Sequence, residues 1–299
     1  MIVKEGKKDS LGKDSGKISA IRLRPLHPGR LCRKRSAVLW LSLFLALAGG
    51  AHAAGTNDLG EKGDLVRGAS AGDPALMLLL GLRYDYGQKG MPHDLDKAVY
   101  WYRKSADLGY PPAEMILSQR YEVGRGVPQD DRLAVQWLKK SADLGYPPAE
   151  DALGDRYATG QGVVKSSSRA LAWYRKAAAH GYGESQDLLG ERYEIGQGVP
   201  KNFEKAAYWY LRAARDAGNP DAFFRLGRFS EKGLGGLRKD PVEALAWYTL
   251  AKDTSLSARK SWMELTKSLP EKDQTLAWKK ATEFRSRYSG GWNRWVLRP

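Results

Sequence analysis

Cysteine is almost missing from this 299-residue chain: Cys32 is the only one. It precedes the single long apolar run, so it is not placed to carry a lipid anchor. A disulfide framework is excluded, and so is thiol chemistry in whatever follows that run. Histidine is scarce as well, with four residues in all. Beyond the leader only His93 and His180 occur, far apart and without a second His or Cys at ligand spacing. No metal site and no cofactor are therefore expected. A dense basic block is also missing. The formal net charge is +15, but residues 1–36 hold eleven Lys/Arg against three Asp/Glu and account for +8 of it. The remaining +7 is interleaved with acids, which argues against nucleic acid as a partner.

The one apolar run, AVLWLSLFLALAGG at 37–50, follows Arg33-Lys34-Arg35 and ends at Ala51-His52-Ala53. A basic flank, a short apolar stretch and an A-x-A site form a secretory signal peptide cut after Ala53. A membrane span needs about 20 residues, so an uncleaved anchor is the weaker reading and no span is expected after cleavage. The basic flank is long, and a start near Leu31 would give a signal of ordinary length. Residues 1–53 are thus expected to direct export, with a periplasmic destination favoured over secretion. Residues 54–72, Gly-rich and polar, read as a linker with room for one short helix.

What is abundant is self-similarity. Tyr121, Tyr157 and Tyr193 stand 36 residues apart, as do Gly124, Gly160 and Gly196, and Trp101, Trp137, Trp173 and Trp209. Five units follow at 73–110, 111–146, 147–182, 183–219 and 220–256. Each reads as two helices. In the first, Ala149, Leu153 and Tyr157 recur at i, i+4, i+8; in the second, Ala170, Trp173, Tyr174, Ala177 and Ala178 make a stripe of helical width. Asp94, Asp130, Ser166, Asn202 and Asp240 stand seven residues before each second-helix Trp and are good N-caps. Gly109, Gly145 and Gly181 suit helix ends. The tryptophans are expected in the core. The G-x-G-V of residues 160–163 follows a helix, not a strand, and lacks both a third glycine and a G-K-[ST], so it reads as a turn and not as a phosphate cradle.

Leu-Gly-x-x-Tyr-x-x-Gly-x-Gly-Val followed by Ala-x-x-Trp-Tyr-x-Lys-Ala-Ala resembles the Sel1-like repeat, a relative of the tetratricopeptide repeat, over about 73–256. The resemblance implies an all-α fold, a right-handed α-solenoid of stacked helix-turn-helix units used as an adaptor or scaffold. Departures are Ser118 in place of the glycine, an extra residue between Gly87 and Gly90, and Ser230 in place of the tyrosine. Residues 257–299 read as capping helices and a tail whose Trp292 and Trp295 dock on the last pair. The cap's open side is expected to be polar and basic.

No constellation for catalysis stands out. Ser257-Ala-Arg-Lys260 fits S-x-x-K, but S-D-N and K-T-G are absent. Cysteine-rich relatives described as weak β-lactamases rely on a disulfide per repeat, which this chain lacks. One pattern exceeds the needs of folding: Arg83, Arg120, Arg156 and Arg192 each precede the repeat tyrosine. Stacking would align them as a ladder on the first-helix face, which lines the groove in related solenoids. The ladder has two readings, a row of structural ion pairs with acids such as Asp155, Glu191 or Glu194, or a groove for an acidic peptide or polymer, since guanidinium groups suit bidentate contacts with carboxylates. The expected partners are other proteins.

Overall fold

The computed structural model describes residues 58–288, and all regular structure in them is helical. Thirteen helices follow in order: α1 Asp58–Ser70, α2 Pro74–Tyr86, α3 Leu95–Asp107, α4 Pro111–Val123, α5 Asp131–Asp143, α6 Pro147–Thr159, α7 Ser167–Ala179, α8 Gly183–Ile195, α9 Phe203–Ala217, α10 Pro220–Lys232, α11 Pro241–Ala251, α12 Leu256–Ser268 and α13 Glu271–Tyr288. The expected signal segment and the Trp292/Trp295 tail lie outside the described residues. Each repeat is a hairpin of a first and a second helix (α2/α3, α4/α5, α6/α7, α8/α9, α10/α11). The first helix also packs on the second helix of the preceding repeat. This is the solenoid that the periodicity implies: one hairpin cannot cover its own stripe, so neighbours stack.

Local chemistry sets the helix ends. Asp94, Asp130, Ser166, Asn202 and Asp240 all have extended backbone and accept from the first-turn amides of α3, α5, α7, α9 and α11. These bonds satisfy N–H groups that have no partner inside the helix. First helices end on left-handed glycines, among them Gly124, Gly160 and Gly196. The second glycine of G-x-G has a separate task. A Cβ on Gly162 (φ +71°) would lie 2.9 Å from Val135 Cγ2, and closer still to the Asp131 carbonyl. The loop is therefore seated on the first turn of α5, in the repeat before.

The segment 54–72 holds the one helix for which the sequence left room, α1, which buries Leu65 and Ala69 in a cluster with Met77 and Leu80 of α2. Two expectations change. The tryptophans are not the core: Trp101, Trp137, Trp173 and Trp209 are only half-buried, and the fully buried rings are the next residues, Tyr102, Tyr174 and Tyr210, with Tyr248 in the fifth repeat. Three of the four carry a cation over the ring: Lys140 lies 3.9 Å from the Trp137 centroid, Lys176 3.9 Å from that of Trp173 and Arg212 5.5 Å from that of Trp209. Trp247 alone is buried, because α13 lies over it and stacks Phe284 on its ring at 4.1 Å. Finally, the cap formed by α12 and α13 is not wholly polar outside. Trp278 is 66% exposed, and Leu276 and Met263 are nearly half exposed.

Candidate functional site

The first-helix face is built on one repeated contact. The second-helix tyrosine reaches under its own first helix and donates to a carboxylate there: Tyr102 Oη to Asp85 (3.0 Å), Tyr174 to Asp155 (2.6 Å), Tyr210 to Glu194 (2.7 Å) and Tyr248 to Glu231 (2.6 Å). The ring has room only because a glycine faces it. A Cβ on Gly81 would lie 2.7 Å from the Tyr102 ring, and one on Gly154 would lie 2.6 Å from the Tyr174 ring. Burial first, and the adjoining carboxylate after it, push the Tyr102 and Tyr174 phenols far above their ordinary range. They stay neutral donors.

An arginine from the next repeat closes the contact. Arg120 of α4 places Nη2 2.5 Å from Asp85 Oδ2 and its guanidinium 5.6 Å from the Tyr102 centroid, and Arg125 adds 2.7 Å to Asp85 Oδ1. Arg156 of α6 pairs with Glu122 at 2.5 Å. Arg192 of α8 lies over Tyr174 at 5.3 Å. Arg120, Arg156 and Arg192 thus run across the seams, each meeting the preceding repeat. Arg120, Arg156 and Arg192 are each 8% exposed, whereas Arg83 in the first repeat is half-buried.

Two features of this face escaped sequence reasoning. In the fifth repeat Phe229 occupies the ladder position, and the cation comes from Arg225, one turn earlier. Arg225 lies 5.4 Å over Tyr210 and reaches Asp187 (3.3 Å), Glu191 (3.4 Å) and Glu194 (3.6 Å), while Arg228 reaches Glu194 at 3.4 Å. Burial disfavours the Arg225 cation, but Asp187, Glu191 and Glu194 outweigh it, so its pKa moves upward. The i−4 spacing on one helix face was the available signal. In the second repeat the tyrosine is replaced by Leu138, and its facing glycine by Ser118, both buried. The two departures belong together, because a ring cannot fit beside a Cβ.

The remaining candidates are scattered. His180 caps α7 and meets the buried Glu150 at 2.8 Å, whereas His93 is exposed. Ser257 and Lys260 are exposed on α12, where Lys260 stands 3.9 Å from Glu264. Among the described residues no group of three His, Cys, Asp or Glu could hold a metal ion. None of their helices is long and apolar enough to cross a membrane.

The Sel1 repeat model matches residues 74–110, 111–146, 147–182, 183–217 and 220–253. The chain belongs to the Sel1 repeat family. Sel1 repeats typically mediate protein–protein interaction and are generally a non-catalytic scaffold fold. Similar solved structures include a protective antigen present in uropathogenic Escherichia coli strains, which displays an SLR fold. It is 30% identical with a TM-score of 0.63, over 77% of this chain and 49% of that one, so this Sel1 chain spans about half of its length. A Sel1 repeat protein from Oxalobacter formigenes is 32% identical with a TM-score of 0.60, over 72% of this chain and 89% of that one. No curated protein matches the chain.

Proposed function

We propose that this Sel1 protein is a non-enzymatic interaction scaffold of the bacterial cell envelope, exported by the 37–53 signal and binding a partner protein on its first-helix face. The observation that carries this reading is the seam contact itself. Tyrosine, carboxylate and arginine from adjacent repeats lock consecutive first helices into one continuous surface, which suits presentation of a fixed shape. In this reading the ladder, Arg83, Arg120, Arg156 and Arg192, holds the shape of the face from beneath. The partner meets the half-exposed residues over it, such as Gln119 and Glu191.

The test is site-specific photo-crosslinking in envelope preparations. Crosslinkers at Gln119 and Glu191 are expected to trap one partner band, and a crosslinker at the exposed second-helix residue Ala172 is not. The reverse pattern would refute the assignment of the face. Turnover of a chromogenic β-lactam by the purified protein would refute the non-enzymatic reading.

A further inference from the structure

The buried ladder is not the only register of cations. On the outward face of the second helices, Lys104, Lys140, Lys176 and Arg212 share one position in four successive repeats, and Arg103, Lys139 and Arg175 occupy the position before it in three. Arg103, Lys104, Lys139, Lys140, Arg175 and Lys176 are all exposed. Among the described residues none of the six pairs with a carboxylate. Arg103 donates to the Tyr121 hydroxyl at 2.9 Å, and Lys104, Lys140 and Lys176 rest over Tyr100, Trp137 and Trp173. Exposed acids one turn on, Asp107 and Asp143, do not pair with them, and the third repeat has Ala179 there. In the fourth repeat the pattern closes, with Leu211 in the row of Arg103, Lys139 and Arg175 and with Arg212 held by Asp216 at 3.1 Å.

We infer that the second-helix face of repeats one to three binds a linear polyanion, a flexible chain bearing phosphate or carboxylate groups. The surface is independent of the first-helix face proposed for the partner protein. Arg120 and Arg156 of the first-helix ladder are sunk in seams with carboxylates already against them, whereas these six stand in water. Their spacing is that of the repeat, so the charge runs along the solenoid in a double row and does not form a compact patch. Cores of protein–protein interfaces are poor in lysine; this surface is rich in it. Lysine is a mobile point charge that accepts phosphate or carboxylate without fixed orientation, which suits a polymer whose charges recur but whose backbone bends. The tryptophan beneath each of Lys140 and Lys176 keeps that ammonium standing over the rows.

The test uses the full chain, titrated separately with inorganic polyphosphate and with polygalacturonate, reading heat and tryptophan emission. Saturable binding to at least one is expected, and the preferred polymer identifies the anion. If four charges are engaged, affinity should fall on the order of 50-fold between about 50 and 200 mM salt. Replacing Lys139, Lys140, Arg175 and Lys176 by Gln should weaken binding at least 10-fold at low salt, with the circular dichroism spectrum unchanged. Replacing Lys260, Lys267, Lys272 and Lys279 of the cap by Gln removes the same charge elsewhere and should leave affinity within about twofold. Equal losses in both variants would mean that net charge alone attracts the polymer, and would overturn the inference. So would binding to neither polymer, or binding to phosphatidylglycerol vesicles in preference to both.

Discussion

Gly154 and Tyr174 are two halves of one packing contact, with the tyrosine ring lying where a Cβ on residue 154 would be, 2.6 Å from it. Both sit within one repeat, on α6 and α7, and the ring places its hydroxyl on Asp155. Gly154→Ala should therefore destabilise the array by about 1–3 kcal/mol through overpacking, even though alanine is the better helix former. The second repeat shows how the contact is released, with Ser118 opposite Leu138. Gly154→Ser combined with Tyr174→Leu should then recover part of the loss, giving a favourable coupling of about 0.5–3 kcal/mol in a double-mutant cycle measured by urea denaturation. Strict additivity of the two substitutions would show that the ring and the glycine are not linked.

The arginine ladder should be uneven in its effect. Arg120 faces Asp85, a carboxylate 1% exposed, while Arg156 faces Glu122, whose side chain is 24% exposed. Removing one member of a buried pair costs about 3–5 kcal/mol because the partner charge is stranded. Arg125 still touches Asp85, so Arg120→Ala should fall near the low end of that range, about 3 kcal/mol. Arg156→Ala leaves a carboxylate that water can reach, and should cost about 1 kcal/mol. Thermal denaturation of the two variants gives the order. If both lower stability while partner affinity is unchanged, the ladder acts as a seam fastening; if affinity falls first, it meets the partner.

The register of 36 made the helices and their N-caps legible, since each feature is a local property of chain and spacing. Seam contents were legible only in part. By periodicity the tryptophan row reads as core, but its burial depends on what is brought over it, and among the five repeat tryptophans only Trp247 receives a stacked ring from α13. Arg225 was hidden because the fifth repeat moved its cation by one turn, which alignment by repeat position does not see although the helix face is the same. Taken alone, Ser118 is only a departure from the repeat's glycine. Set beside Leu138, it is the matching half of a substitution that needs no tertiary information to find.

Glu114 makes the stability of the second repeat depend on pH. Its side chain is buried with Oε2 unpartnered, and burial raises its pKa above the ordinary 4.5, with Lys140 opposing. A carboxyl whose folded value is raised holds its proton longer in the native state. Its contribution is fully present below about 4.5 and is lost as pH rises through the higher folded value. Glu114→Gln should therefore stabilise the protein at pH 7 and leave it little changed at pH 4, in paired denaturation curves. The third repeat suggests a second remedy, because Glu150 at the same position accepts from His180, where the second repeat has Leu144. Leu144→His should raise the midpoint more at about pH 6 than at about pH 8, since a protonated imidazole serves the carboxylate better.

The two kinds of glycine turn should respond differently to the same substitution. Gly181 has φ +87° with no atom within 4 Å of a built Cβ, so Gly181→Ala meets backbone strain alone and should cost about 1 kcal/mol. Gly162 has φ +71° and is pressed on the first turn of α5, with the Asp131 carbonyl and Val135 in the way. There the backbone must retreat or the third repeat must lift from the second. Gly162→Ala should then cost about 3 kcal/mol or more. Because the contact is a seam and not the inside of a hairpin, the loss should also be directional. Hydrogen exchange should rise first in α5 and α6, on the two sides of that seam, and last in α9 to α11. A uniform rise along the whole array would mean that the glycine stiffens its own loop only, and that the G-x-G turn has no part in joining one repeat to the next.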